Sequence, residues 1–159
     1  MGMSFEKINV NRDIRHWLHT IEQGYRYTAG PIGTKFLEGL KAGKLLAGKC
    51  PVCGKLLIPP KAFCQYDFAE IKELVEIAPV GIVRTYTVLY EDSYGNKLPK
   101  PVVIGFIEFP GGVTGGLVHY IINVEPGNVR VGLKVRPVFR PENERRGGSI
   151  TDIAGFEPV

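Results

Sequence analysis

Two short cysteine-bearing turns constrain this chain more than anything else in it: Cys50-Pro51-Val52-Cys53-Gly54, then Cys64-Gln65-Tyr66-Asp67 after a gap of ten residues. Paired Cys-x-x-Cys turns across a short hairpin bind one zinc tetrahedrally in ribbons and rubredoxin-like modules. Pro51 pre-sets the first turn, and Gly54 permits the left-handed backbone that follows it. The second turn is incomplete, because Asp67 stands where a fourth cysteine is expected. A carboxylate oxygen also ligates Zn²⁺, at ~2.0–2.2 Å, so the expected ligand set is Cys50, Cys53, Cys64 and Asp67. Oxygen in place of sulfur weakens such a site and disfavours iron or cluster chemistry. Two other readings remain open at this level. One is an empty ribbon whose cysteines serve as small buried apolar residues. The other is a redox Cys-x-x-Cys, which would need a strand-to-helix context that the flanking residues do not supply. A zinc with four protein ligands is structural, since no position is left for a reactive water.

Three cysteines are an odd number, which does not suit a disulfide framework, and clustered cysteines in a reducing compartment bind metal more often than they pair. No apolar run approaches the ~20 residues that cross a bilayer. The N-terminal stretch MGMSFEKINVNRDIRHW has no apolar core ahead of a cleavage site, and Glu6 stands where myristoylation requires Ser or Thr. The expectation is a soluble cytoplasmic protein with no membrane partner. The net charge is +4, and the window from Lys35 to Asp67, with six lysines against two acids, carries all of it. A basic patch of this kind suits an anionic partner, although a solvated face is an equal alternative.

Twenty glycines and twelve prolines in 159 residues, with 44% hydrophobic and 23% charged residues, indicate a globular chain with frequent turns. Ile14, Trp17, Leu18 and Ile21 recur at helical spacing and predict a helix over Asn11 to Tyr27. A second short helix is expected from Thr34, as N-cap, to Ala42, with Gly43 ending it. After the cysteines the texture changes to short β-branched and aromatic runs: 73–78, 82–90, 102–109, 117–124, 129–139 and 150–156. Turn sequences at 79–81, 94–96, 110–112, 126–128 and 146–148 separate them. Five or six strands at this interval predict a small sandwich or closed barrel, with Gly132 and Pro137 suited to a corner or an edge.

Other chemistry is sparse. His16 and His19 fall on neighbouring positions of the first predicted helix and lack further ligands. His119 lies mid-strand with no nucleophile motif beside it. The 111–116 run GGVTGG superficially resembles a phosphate loop but lacks the GK[ST] ending and joins two strands, so a hairpin turn is expected. No paired carboxylates or nucleophile–base arrangement stands out, and catalysis is not expected.

The order FLEGLKAGKLLAGKCPVCGKLLIPPKAFC, then GIVRTYTVLYED, then VGLKVRPVF and a closing ITDIAGF closely resembles the small acyl-CoA-associated proteins in which a rubredoxin-like zinc ribbon is fused to an OB-fold. Within that family the chain is most similar to the archaeal members encoded alongside acetoacetyl-CoA thiolase and hydroxymethylglutaryl-CoA (HMG-CoA) synthase. Asp67 departs from the pattern and bears on metal occupancy rather than fold. The resemblance implies a mainly β fold with N-terminal helices, divided into a helical segment (1–43), a zinc ribbon (44–70) and an OB-fold of five or six strands (71–159). It implies one structural zinc and a non-catalytic subunit that bridges the thiolase and the synthase in mevalonate-pathway isoprenoid synthesis, with coenzyme A or acyl-CoA as a bound ligand. On that reading Lys55 and Lys61 would meet phosphates or acidic surfaces. Pro60 and Phe63 would wall a slot for the pantetheine arm, and Tyr86 and His119 would be its polar handles. Each could equally belong to the core where ribbon meets barrel. The rival class is a nucleic-acid-binding module, since OB-folds and zinc ribbons both serve that role; the near-neutral β-domain argues against nucleic acid.

Overall fold

The computed structural model describes residues 4–7, 15–18, 24–25 and 27–159. Its first two elements correct the sequence reading. Strand β1 (Ser4–Lys7) pairs antiparallel with β2 (Arg15–Leu18), in register Phe5 with Trp17 and Glu6 with His16. The helix expected over Asn11 to Tyr27 is therefore replaced by strand at 15–18, and its remaining predicted positions fall largely outside the described residues. Ile and Trp are indifferent helix formers, so pairing with a distant segment can override a weak helical stripe. His16 sits in β2, and His19 lies outside the described residues.

One helix follows. It is α1 (Gly30–Lys41), which starts four residues before the expected cap because Pro31 occupies the first turn, where its missing N–H costs nothing. Gly43, at φ 74°, lies just beyond its C-cap Ala42, as expected. Phe36 and Leu40 bury one face of α1 in the main core.

Strands β3 (Leu46–Lys49) and β4 (Leu56–Ile58) of the ribbon form a sheet that β5 (Glu73–Glu76), from the run after it, completes, with β3 pairing antiparallel to both others. The barrel strands are β6 (Gly81–Glu91), β7 (Lys97–Glu108), β8 (Val113–Ile121), β9 (Lys134–Phe139) and β10 (Ile153–Pro158). Strands β6, β7 and β8 form a meander. Asp92 closes its first turn by accepting the N–H groups of Tyr94 and Asn96 at 2.8 and 2.9 Å. Gly111 and Gly112, both with positive φ, close the second, so the GGVTGG run is a hairpin turn. Strand β9 pairs with β6 and β10, and β10 returns to β8 in parallel through Phe156 and Ile121, completing a five-stranded barrel. The 129–139 run becomes strand only at Lys134, because Gly132 turns at φ 87°. Pro137 stands beyond the two-residue pairing of β9 with β6. The 150–156 run likewise opens with a 3-10 turn whose cap, Ser149, accepts the Thr151 N–H at 3.2 Å.

Ribbon and barrel share one eight-stranded sheet, because β4 pairs in parallel with β8: Leu56 with Val113, Leu57 with Thr114 and Ile58 with Gly115. The main core accordingly mixes Phe36 and Leu40 of α1, Ala47 and Ile58 of the ribbon, and Val83, Ile107, Leu117 and Phe156 of the barrel. A second, small core holds Cys50, Leu57, Cys64 and Ile71 beneath the knuckles. At the junction Gly115 adopts φ 91°, and a Cβ there would run into the carbonyl oxygen of Ile58. A Gly115→Ala variant should therefore lose about 2 kcal/mol or more in denaturant unfolding, from strain and a forced opening of the β4–β8 seam. A loss below about 0.5 kcal/mol would show that the seam is loose.

Candidate metal centre

The two knuckles fold alike although their sequences differ. Cys50, just past β3, donates its N–H to Lys55 O (3.0 Å), and Gly54 donates back to Cys50 O (3.1 Å). Cys64 and Phe68 repeat the arrangement: Cys64 N–H to Ala69 O at 2.9 Å and Phe68 N–H to Cys64 O at 3.0 Å. Amide groups also point at sulfur, from Val52 and Cys53 to Cys50 Sγ (3.4 Å each) and from Tyr66 to Cys64 Sγ (3.5 Å). The second knuckle is thus complete in its backbone, with Asp67 occupying the cysteine position.

Sγ of Cys50, Cys53 and Cys64 and a carboxylate oxygen of Asp67 all lie within 4.8 Å of one another. Cys53 Sγ and Cys64 Sγ are 3.7 Å apart, close to the edge of ~3.8 Å that a tetrahedron with Zn–S bonds of ~2.3 Å requires. The Asp67 oxygens stand 3.3 and 3.4 Å from Cys50 Sγ, and Oδ1 also accepts the Ala69 N–H at 3.0 Å, which aims the carboxylate. The donor set and spacing fit one zinc ion.

Charge is already prepared on part of the cluster. The Ala69 N–H is the chief reason that the Asp67 carboxyl is held down to about 2. Burial, the largest influence, and Asp67 oppose ionisation of Cys50, but the amides of Cys53 and Val52 together with the Cys53 thiol outweigh them and keep that thiol below its ordinary value. The Lys55 amide favours the Cys53 thiolate, yet burial and the adjacent Asp67, Cys50 and Cys64 push its thiol up to about 12. A dication reverses that balance by compensating the crowded negative charge, so binding releases a proton and weakens as pH falls.

The remaining sequence-predicted residues do not converge on one site. Lys55 lies with its ammonium 4.2 Å from the Tyr66 ring centre, and it lines a depression of about 510 Å³ with Cys53, Gly111 and Gly112. Lys61 donates to Gln65 Oε1 at 2.7 Å, Phe63 is exposed, and half-buried Pro60 packs over Gly48. Tyr86 and His119 lie in one row across the barrel wall, both opposite Gly105. His119 is buried; its Nδ1 accepts the Tyr120 N–H at 2.9 Å and its Nε2 faces Ile150 O at 3.4 Å. Burial holds its pKa below the usual value, so the ring is neutral and engaged on both nitrogens. It borders a largely apolar groove of about 300 Å³ with Ile104, Val118, Tyr120, Ile150 and Arg140, which shares no residue with the Lys55 depression.

The groove escaped sequence reasoning because it depends on the 140–152 connection. There the buried Asp152 accepts the N–H groups of Arg146 and Gly147 at 3.0 and 2.9 Å. Arg145 ties the same loop to α1 by donating to Lys41 O at 3.1 Å. The Arg-Arg-Gly-Gly sequence and a lone downstream Asp were the available signal.

Comparison with known proteins agrees with this architecture. Residues 37–73 match the family described as the ChsH2 rubredoxin-like zinc ribbon domain, and residues 74–140 match the ChsH2 C-terminal OB-fold domain. A crystal structure of a DUF35-family protein from Sulfolobus solfataricus is 40% identical, covers 69% of this chain and 78% of its own, and superposes with a TM-score of 0.60. The chain belongs to the DUF35 family. A relative from Methanocaldococcus jannaschii, described as a DUF35 domain-containing scaffold protein, is 29% identical over 72% of this chain and 82% of its own. A Thermomonospora curvata protein described as a probable enoyl-CoA hydratase alpha subunit is 25% identical over 67% of this chain but only 36% of its own. A structure described as an Ltp2-ChsH2(DUF35) aldolase shares the fold, with a TM-score of 0.63 at 21% identity over 84% of this chain and 98% of its own.

For this DUF35 chain the ligand set makes a direct prediction. Purified protein should carry close to one zinc per chain by elemental analysis. Asp67→Ala should weaken zinc binding by more than about tenfold, and Asp67→Cys should strengthen it. Full zinc affinity in Asp67→Ala would remove the carboxylate from the ligand set.

Proposed function

We propose that the chain is a non-catalytic scaffold subunit that bridges acetoacetyl-CoA thiolase and HMG-CoA synthase, with a structural zinc held by Cys50, Cys53, Cys64 and Asp67. The observation that carries this reading is the chemistry of its polar centres. The four-donor cluster has no position left for a reacting water, and His119 is neutral with both nitrogens engaged. The described residues therefore offer structure and surface rather than a general base beside a nucleophile. The scaffold description of the M. jannaschii relative supports the same role. The enoyl-CoA hydratase subunit description of the T. curvata relative supports a setting among acyl-CoA enzymes.

The reading divides the chain into an N-terminal segment (1–43), a ribbon (44–70) and an OB-fold (71–159), and places it in the cytoplasm. Among the described residues no helix is long and apolar enough to cross a membrane. Coenzyme A or an acyl-CoA is the small ligand. Two separate seats are available to it: Lys55 and Lys61, with Pro60 and Phe63, suit its phosphates and pantetheine arm, and Tyr86 with the His119 groove is the alternative seat for an apolar acyl part. A scaffold of this kind accelerates by proximity: the product of one tethered enzyme meets the next at raised effective concentration.

Size-exclusion chromatography with light scattering on the chain mixed with the thiolase and synthase of the same genome tests this. A ternary complex that forms only when the chain is present is the expected result. Failure of the chain to bind either enzyme would overturn the proposal.

A further inference from the structure

Strand β6 outruns the barrel. Its outer edge meets β9 through Gly81 and Ile82, and Val83 adds hydrogen bonds to Leu133 O (2.9 Å) and from the Gly132 N–H (2.8 Å). A register shift at Arg84 follows, and bulges of this kind re-aim a strand. From Thr85 to Leu89 the strand is laddered to β7 on one side, and no strand among the described residues pairs with its other side. The outward N–H and C=O groups there form an open template for another strand. The arm is also thinly supported. Thr85, Tyr86, Thr87, Leu89 and Tyr90 are exposed and Val88 is half-buried, whereas two strands alone are marginally stable.

Other free edges of the molecule are guarded. Strand β7 outruns β8 in the same way, since their pairing ends at Val103 with Ile121. The part of β7 left over carries Lys97, Pro99, Lys100 and Pro101, all exposed. Strand β5, at the end of the sheet, is four residues long and bears Glu73 and Glu76. Prolines and charges of this kind keep an edge from pairing. Residues 85–90 of β6 read Thr-Tyr-Thr-Val-Leu-Tyr and contain neither. An exposed strand of that composition is adhesive. One hairpin thus has a guarded edge and an unguarded one, and the unguarded edge is the one open to pairing.

That edge is complementary to itself. Its middle is uncharged, with Arg84 at one end and Glu91 at the other. An antiparallel two-fold near Val88 sets Tyr86 opposite Tyr90 and brings the Arg84 end of each copy to the Glu91 end of the other. A parallel copy would set like charge against like. Both charges remain available to a neighbour. Arg84 reaches Glu108 at 3.8 Å with both side chains exposed, and Glu91, opposite Lys97 in the ladder, makes no ion pair among the described residues. Nucleic acid is a poorer occupant, because a phosphate backbone cannot donate to the C=O groups of the edge and meets one cation along it. Six paired residues span about 20 Å. An interface of that length falls below the ~1,200 Å² of stable complexes, so the association is reversible.

We infer that the outer edge of β6, from Thr85 to Tyr90, is a self-association surface. A second copy of this chain adds to it antiparallel, about a two-fold near Val88, and joins the two barrels into one continuous sheet. The inference goes beyond the scaffold reading and does not depend on it.

Sedimentation equilibrium of the full chain, from micromolar to millimolar concentration, tests this. The parent should pass reversibly from monomer to dimer. Arg84→Glu and Glu91→Arg should each weaken the dimer by about tenfold, since the two-fold doubles every repulsion, and the double variant should recover most of the lost affinity. Thr87→Lys, a guard of the kind β7 carries, should abolish the dimer and leave Tm unchanged. A parent that stays monomeric throughout, or a dimer indifferent to these changes, would overturn the inference. So would single variants that weaken the dimer without recovery in the double. A monomeric parent whose binding of purified thiolase or synthase is lost in Thr87→Lys would assign the edge to that enzyme instead. If Thr87→Lys lowers Tm, the charge-exchange series alone decides.

Discussion

The parallel pairing of β4 with β8 is the interaction on which the rest of the molecule depends. Three consecutive pairs, from Leu56 with Val113 to Ile58 with Gly115, turn the ribbon into an extension of the barrel sheet. Ile58 thereby enters the main core while its neighbour Leu57 faces the knuckles, so adjacent residues of one short strand serve two interiors. The knuckle interior alone, with Cys50, Leu57, Cys64 and Ile71, is far too small to hold a fold. The sheet anchors it on one side, and on the other Cys50, Cys53, Cys64 and Asp67 present a donor set that fits a metal. Zinc binding and folding of the knuckles are then one process, since the four donors meet only when both turns have formed.

This arrangement separates tasks along the chain. The barrel and α1 supply stability through a continuous apolar core. The knuckles hold their ligands by backbone N–H groups, which leaves the side chains between the ligands free to project. Val52, Tyr66 and Phe68 are exposed for that reason, and the lysines beside them follow the same outward geometry. The His119 groove lies on β7 and β8 beside the β9–β10 connection, the face and loop through which OB-folds take their ligands. A rigid body with contacts at separate places suits a subunit that organises other proteins.

Much of this was legible in the residues themselves. Cys50-Pro51-Val52-Cys53-Gly54 dictates its own turn, and Cys64-x-x-Asp67 could be recognised as its counterpart because the hairpin spacing was right. The barrel strands were visible because β-branched runs and glycine-proline turns alternate through 79–148. What was hidden is what depends on distant partners. The pairing of 4–7 with 15–18 competes with a helical stripe that the same apolar residues also satisfy. The true start of α1 was signalled by Pro31, yet Thr34 offered a more familiar cap. Phe68 carries no residue-level sign of left-handed backbone; only the parallel with Gly54 reveals it. The buried role of Asp152 likewise emerges only once the 140–152 loop closes on it.

The central claim is that a metal holds the knuckles while the shared main core holds the barrel. Amide hydrogen exchange, followed residue by residue before and after zinc chelation, tests it most directly. Chelation should release the protected amides of Gly54, Cys64, Phe68 and Ile71, each bonded within the knuckles. Val83 and Ile122, bonded across barrel strands, should stay protected. Knuckle amides that keep their protection after chelation, or barrel amides that lose it together with them, would contradict this account.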